Sequence, residues 1–262
     1  MDKRSVLDAA ATSGEERLLL GHVWDQYDRC RLKNLPTATA FLSPQEQGAA
    51  RRLLQLLGAG EESYLFFGGY EGAERCCLYF LPDWAWEAEE GSIRCLRCTW
   101  YHGSNLTHRD FLGSLMGMGL TRQSIGDILV GEESADVLVT GGVADHLLTS
   151  WDSAGRTHLR LAEVPLAHIH IPQVKTKTIR DTVSSLRLDN VVSSGFALSR
   201  GKAAEAIESG KVQLNWAACQ KVSTEVRQGD TVSVRGLGKC TVEEVGKETK
   251  KGRIFISIKR YL

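Results

Sequence analysis

Apolar positions in the N-terminal part of the chain recur at helical spacing. Leu18, Leu19, Val23, Trp24, Tyr27 and Cys30 share one side of an amphipathic helix, and Pro36 ends the pattern. Ser43-Pro44-Gln45-Glu46 opens a second helix: Ser43 can cap, Pro44 suits the first helical position, and Glu46 completes a capping box. This helix is expected to run to about Leu57, where Gly58 stops it. Two short strands follow, Tyr64–Phe67 and Cys76–Leu81, joined by the Gly-rich turn Gly68-Gly69-Tyr70-Glu71-Gly72.

The next stretch alternates strand and helix patterns. Ile93–Tyr101 reads as a strand, Thr107–Met118 as a helix, Asp127–Val130 and Asp136–Val139 as strands, Val143–Ser150 as a helix and Thr157–Val164 as a strand. The order β-α-β-β-α-β is the split-βαβ plan of ferredoxin-like and RNA-recognition-motif folds. Proteins of the latter kind stack bases on aromatics of their central strands. The third strand here, Ala135-Asp136-Val137-Leu138-Val139-Thr140, has no aromatic, so direct stacking on it is not expected. The expected fold class is α+β: a helix-and-hairpin segment over 1–85, a split-βαβ domain over 86–170, a polar linker over 171–184, and a C-terminal domain over 185–262.

With 262 residues, 42% hydrophobic and 24% charged, the chain can fill two or three cores. Its longest apolar runs, such as Ser63–Phe67, fall far short of the roughly 18 residues of a membrane span. The opening Met1-Asp2-Lys3-Arg4-Ser5 leads into an Ala-rich and then acidic stretch, which implies no export and a cytoplasmic location. Seven cysteines, an odd number, fit a reducing compartment. Cys95-x-x-Cys98 with Cys76-Cys77 invites a zinc reading, but adjacent Cys76 and Cys77 would face opposite sides of a strand; buried thiols are expected, and no metal or cofactor.

Net charge is zero, yet the charge is segregated. From Lys175 onward there are 17 lysines and arginines against 9 acids, leaving 15 against 23 in the rest. The C-terminal part is therefore suited to a polyanion. Within it, Arg187-Leu188-Asp189 starts a short helix expected to end at Gly195, and Ser199 caps a second that runs from Arg200 to Ser209. A cation in the first turn of a helix sacrifices roughly 0.3–1 kcal/mol of dipole complementarity. Arg200 and Lys202 both sit there, where exposed amides, the Ser199 hydroxyl and two cationic side chains can converge on phosphate. Strands follow at Lys211–Asn215, Thr231–Arg235, Lys239–Glu244 and Arg253–Lys259, and the turn carrying Lys247, Lys250 and Lys251 adds cations at one end of the sheet. Arg235 and Arg253 extend the same basic set.

Arg187-Leu188-Asp189, Ser199-Arg200-x-Lys202-Ala203, Ile207, Gly210-Lys211-Val212, Asn215 and Gly229-Asp230 resemble the S4 RNA-binding domain in order and spacing. The resemblance implies an RNA-facing surface on the two helices and first strand, mapping onto Arg187, Ser199, Arg200, Lys202, Lys211 and Asn215. It extends upstream through Phe66-Phe67-Gly68-Gly69-Tyr70-Glu71-Gly72-Ala73-Glu74-Arg75, Thr107–Met116, Ile125-Gly126-Asp127-Ile128 and Val234–Gly238. Over nearly its whole length the chain is thus similar to the YlmH-type S4 proteins of Gram-positive bacteria and plastids. That resemblance implies binding to ribosomal RNA of the large subunit, contact with peptidyl-tRNA, and a part in ribosome-associated quality control by a monomer that touches no membrane.

A pseudouridine synthase keeps its Arg-Leu-Asp motif in a separate catalytic domain, whereas the Arg187–Asp189 copy lies in the S4 helix and reads as a helix-stabilising acid. Thr140-Gly141-Gly142-Val143-Ala144-Asp145 follows a strand but lacks G-x-G-x-x-G spacing. No catalytic residue is assigned. The alternatives are an RNA-modifying enzyme with an unfamiliar site and a cell-division or membrane-assembly adaptor. His102, His146, His158, His168 and His170 read as exposed or core-rim histidines; His168-Ile169-His170 would share one strand face but has no acid or Cys partner at ligand spacing. At the helix start Thr107-His108-Arg109-Asp110, Thr107 can cap while His108 and Arg109, with Arg122, form an auxiliary phosphate contact; Arg109 and Asp110 can equally anchor the helix.

Overall fold

The computed structural model describes every residue except Met1, Trp86, Glu89, Glu90, His102, Val174, Lys250, Lys251 and Leu262. It divides into two compact units, Met1–Pro172 and Gln173–Leu262. The first begins with helices α1 (Lys3–Ala10) and α2 (Gly14–Lys33), strand β1 (Thr37–Ala38), helix α3 (Pro44–Leu57) and strands β2 (Tyr64–Phe67) and β3 (Cys77–Phe80). The capping box forms as the sequence pattern predicts, the Ser43 hydroxyl accepting from the Glu46 N–H (3.3 Å) and Glu46 accepting from the Ser43 N–H (2.6 Å). Gly58 ends α3 in the left-handed region, φ 67°. Helix α1 and the two-residue β1 carry too few periodic positions to be read from the sequence alone. In the structure Val6, Leu7 and Ala10 of α1 complete a core with Leu20, Val23, Leu53, Leu54, Leu78 and Phe80.

Next come β4 (Ile93–Thr99), α4 (His108–Gly117), β5 (Ile125–Val130), β6 (Ser134–Thr140), α5 (Gly141–Ser150), the short β7 (Ser153–Ala154) and β8 (Thr157–His158), and β9 (Arg160–Val164). The four long strands form an antiparallel sheet in the order β5-β6-β4-β9, so the split-βαβ plan holds. Strand alternation sends Leu96, Cys98, Val137 and Val139 to one face, where Phe111 and Leu115 of α4 and Ala144 and Leu147 of α5 cover them. Ile93, Cys95 and Leu138 point to the other face and pack under Phe41, Cys77, Tyr79 and Leu81. Cys95 and Cys98 thus lie on opposite faces, and burial pushes the Cys95 thiol up to about 12.

A polar clasp holds that second layer. The Asp127 carboxylate accepts from the Tyr70 hydroxyl (2.8 Å) and from the N–H groups of Glu74 (2.7 Å) and Arg75 (3.1 Å). Arg75, 8% exposed, donates to the carbonyls of Ile125 (2.9 Å), Phe41 (3.1 Å) and Arg122 (3.0 Å). Gly126 lets the layers close: a Cβ there would come within 2.7 Å of the Phe41 ring. The Gly68–Arg75 and Ile125–Asp127 motifs therefore build the clasp.

The second unit contains β10 (Thr176–Val183), α6 (Leu188–Phe196), α7 (Arg200–Glu208), β11 (Val212–Leu214), β12 (Ala217–Ala218), β13 (Thr231–Val234), β14 (Gly238–Glu248) and β15 (Ile254–Tyr261). Its sheet runs β10-β15-β14-β13-β11-β12. Most of the polar stretch expected to be a linker, 171–184, is the strand β10, paired with β15 from Thr176 to Val183. Its exposed Lys and Thr positions mimic a tether, while only Ile179 and Val183 turn inward. Helix α6 also passes the expected stop at Gly195, which packs against Cys240; the chain turns at Ala197, φ 53°. Leu188, Val191, Val192, Phe196, Ala203 and Ile207 seat both helices on Val212, Val232, Cys240, Ile256 and Ile258.

Replacing Arg75 with Met is expected to cost about 3 kcal/mol of stability, since three buried carbonyls lose a charged donor. Urea unfolding of the full chain measures it, and a loss under about 1 kcal/mol would show that the clasp is dispensable.

Candidate nucleic-acid interface

Helices α6 and α7 meet at an ionic knot. Asp189, in the first turn of α6 and 5% exposed, accepts from Arg187 Nε at 3.0 Å on one oxygen and from Arg200 Nη2 at 3.4 Å on the other. The two arginines stay wet, their side chains 43% and 62% exposed. Burial alone would raise the Asp189 carboxyl, but hydrogen bonds and charge from Arg187 and then Arg200 hold it below the usual carboxylate range. Asp189, read from sequence as a helix-stabilising acid, thus orients two cations, and one carboxylate leaves a net positive charge. The pairing was hidden in the sequence because Asp189 and Arg200 sit on different helices.

Ser199 caps α7 by accepting from the Lys202 N–H (3.3 Å). Lys202 is exposed and makes no ion pair among the described residues. Arg200 and Lys202 therefore add their charge to the positive end of the α7 dipole, beside the arginine held from α6. At the other end of α7 lies a second basic group. An open groove is lined by Lys211, Gln213, Ser233, Arg235 and Lys239, with Gly236 and Gly238 at its rim. The Arg235 N–H donates to the Lys211 carbonyl at 2.9 Å, which sets the two exposed residues side by side at the adjoining ends of β11 and β13. Nine residues of α7 separate the groups, about 13 Å along the axis.

Other expected contacts have structural duties. The Asn215 amide donates to Asp230 (2.8 Å) and accepts from the Thr231 N–H (2.9 Å). With Asn215 at φ 49° and Trp216 at φ 63°, it closes the β11–β12 hairpin. Arg253 donates to the Thr182 hydroxyl at 2.9 Å and to the Thr182 carbonyl, tying β15 to β10. Lys250 and Lys251 lie outside the described residues.

In the first unit, Thr107 and Asp110 form a capping box at the start of α4, and His108 and Arg109 project from its first turn. Burial and then the nearby Arg122 charge lower the His108 pKa, so the ring is neutral near pH 7. Arg122 is half-buried, with Nη1 lacking any partner among the described residues. His108 and Arg122 are thus brought together. Arg109 stands exposed, with no ion pair among the described residues, while Asp110 anchors the start of the helix through Thr107.

Two helices and a twisted sheet carrying a cationic knot define an S4-type RNA-binding module, and residues 186–232 match the S4 domain model. Residues 102–168 match the model described as "Putative RNA-binding domain in YlmH". The chain is 33% identical over 225 residues to the "Ribosome-associated protein quality control protein P2" of Bacillus subtilis (strain 168), covering 85% of this chain and 86% of that protein. It belongs to the YlmH-type family of S4 proteins. A solved structure, "Cell division protein ylmH from Streptococcus pneumoniae", shares the fold at a TM-score of 0.51 and 20% identity, over 62% of this chain and 98% of that one. No helix among the described residues is long and apolar enough to cross a membrane.

Asp189→Asn should lower stability at pH 7 by about 1–2 kcal/mol, a modest figure because both arginines are solvent-screened. Since the folded carboxyl titrates below its unfolded value near 3.9, the wild-type advantage is present above that pH and fades as pH falls through the folded value. Urea melts from pH 7 down to 2.5 test this; a gap that widens on acidification contradicts the pairing.

Proposed function

We propose that this protein is a non-catalytic RNA-binding protein that docks on ribosomal RNA of the large subunit during ribosome-associated quality control. The observation that carries the reading is the arrangement around Asp189: Arg187 and Arg200 are oriented yet exposed, beside Lys202 at the amino end of α7. A sugar-phosphate chain meets there two forked guanidinium groups, an ammonium and free helix amides. The Lys211–Arg235–Lys239 groove extends the contact to further phosphates. The match to the quality-control protein of Bacillus subtilis supports the ribosomal setting. In this reading peptidyl-tRNA is a second contact, the chain acts as a cytoplasmic monomer, and His108, Arg109 and Arg122 form an auxiliary phosphate site.

The reading requires no chemistry from the chain. Asp189 is engaged by two arginines, and the described cysteines with shifted pKa values are all raised, which makes them poor nucleophiles.

Arg200→Ala combined with Lys202→Ala should weaken binding to large-subunit RNA by about 2–4 kcal/mol. The slope of log affinity against log salt should become shallower by about two phosphate contacts. Filter binding and cosedimentation with large subunits measure both; wild-type cosedimentation in the double variant would refute the assignment.

A further inference from the structure

The first unit poses a question of position. Residues 102–168 match an RNA-binding model, yet most of the sheet face that RNA-recognition motifs use for stacking is covered. Alternation along β4 places Ile93, Cys95, Arg97 and Thr99 on that face. Ile93 and Cys95 lie under the N-terminal layer. Arg97 grips Asp136 through two 2.7 Å contacts and donates to the His168 carbonyl at 2.7 Å, which brings the 168–170 segment over it. The next rung is open. Thr99 pairs with Arg160 of β9, both exposed, and Tyr101 follows two residues on with 73% of its surface in solvent.

We propose that Tyr101 and Arg160 form a nucleobase-stacking subsite for single-stranded RNA at this uncovered corner of the sheet, an inference that rests on the RNA-binding reading above. The Arg160 guanidinium lies 5.3 Å from the Tyr101 ring centroid and donates to its hydroxyl at 2.9 Å. The ring is thereby held in place with one side backed by a cation. A cleft of about 270 Å³ opens here, walled by Trp100, His158 and Leu159. Trp100 is fixed, its indole N–H donating to the Ser104 carbonyl (3.0 Å) and its ring packed 5.7 Å from Phe111. A rigid wall, an exposed platform and an adjoining guanidinium suit a planar base carrying a phosphate. Unpaired bases can enter such a cleft, whereas stacked duplex bases cannot. Stacking on Tyr101 requires no net positive charge, which reconciles the subsite with the acidic balance of the N-terminal part.

The test titrates full-length protein with a fluorescein-labelled oligouridylate, and crosslinks a 4-thiouridine version before peptide mapping. Tyr101→Ala should weaken binding about tenfold, the effect of losing one stacked base, and leave the salt slope unchanged. Tyr101→Phe should stay within about twofold of wild type, because the ring face remains. The crosslink should fall on the peptide containing Tyr101. Wild-type affinity in Tyr101→Ala, or an equal loss in Tyr101→Phe, overturns the subsite alone. Failure of the wild-type chain to bind any RNA overturns the parent reading together with it.

Discussion

A sheet whose central strands are apolar on both sides must be covered twice, and the first unit is organised around that requirement. In the middle sheet, β4 and β6 send Leu96, Cys98, Val137 and Val139 one way and Ile93, Cys95 and Leu138 the other. The βαββαβ unit supplies helices for one side only. The second cover comes from the N-terminal segment, whose β3 residues Cys77 and Tyr79 lie on that face with Phe41 and Leu81. A buried guanidinium and an acid, Arg75 and Asp127, hold the cover by satisfying backbone groups that would otherwise be stranded without water. The helix-and-hairpin segment and the split-βαβ sheet are in this way parts of one packed body.

Much of this architecture was legible in the chain. Capping chemistry at Ser43–Glu46 and the stop at Gly58 are local, so they could be read without tertiary knowledge. The βαββαβ order followed from the change of hydrophobic period. The cover on the sheet did not, because Phe41, Arg75 and Asp127 come together from distant positions. Strand β10 escapes the sequence pattern because most of its side chains face solvent, giving a largely polar composition to a backbone that is paired along one side. For the candidate site, the cations at the start of α7 were visible as a violation of dipole preference, while the pairing of Arg200 with Asp189 was not. Asn215 has a structural duty that its residue type alone did not reveal, closing its own turn.

The S4 module also shows how a protein of zero net charge serves a polyanionic partner. The excess of 17 basic residues over 9 acids from Lys175 onward is balanced by the 23 acids that outnumber 15 basic residues in the rest of the chain. Within the module, the buried Asp189 restricts two long side chains while leaving the group of three net positive. Restricting them before association lowers the entropy lost on binding.

The ends of the C-terminal sheet have a further consequence. At one margin β12 is only two residues long, and at the other β10 is paired with a strand on one side only and carries Lys177 and Arg180. A strand added at β12 would find few residues to pair with, and one added at β10 would have to accommodate these charged side chains. The basic composition that suits a polyanion thus also shapes the open margin of the sheet.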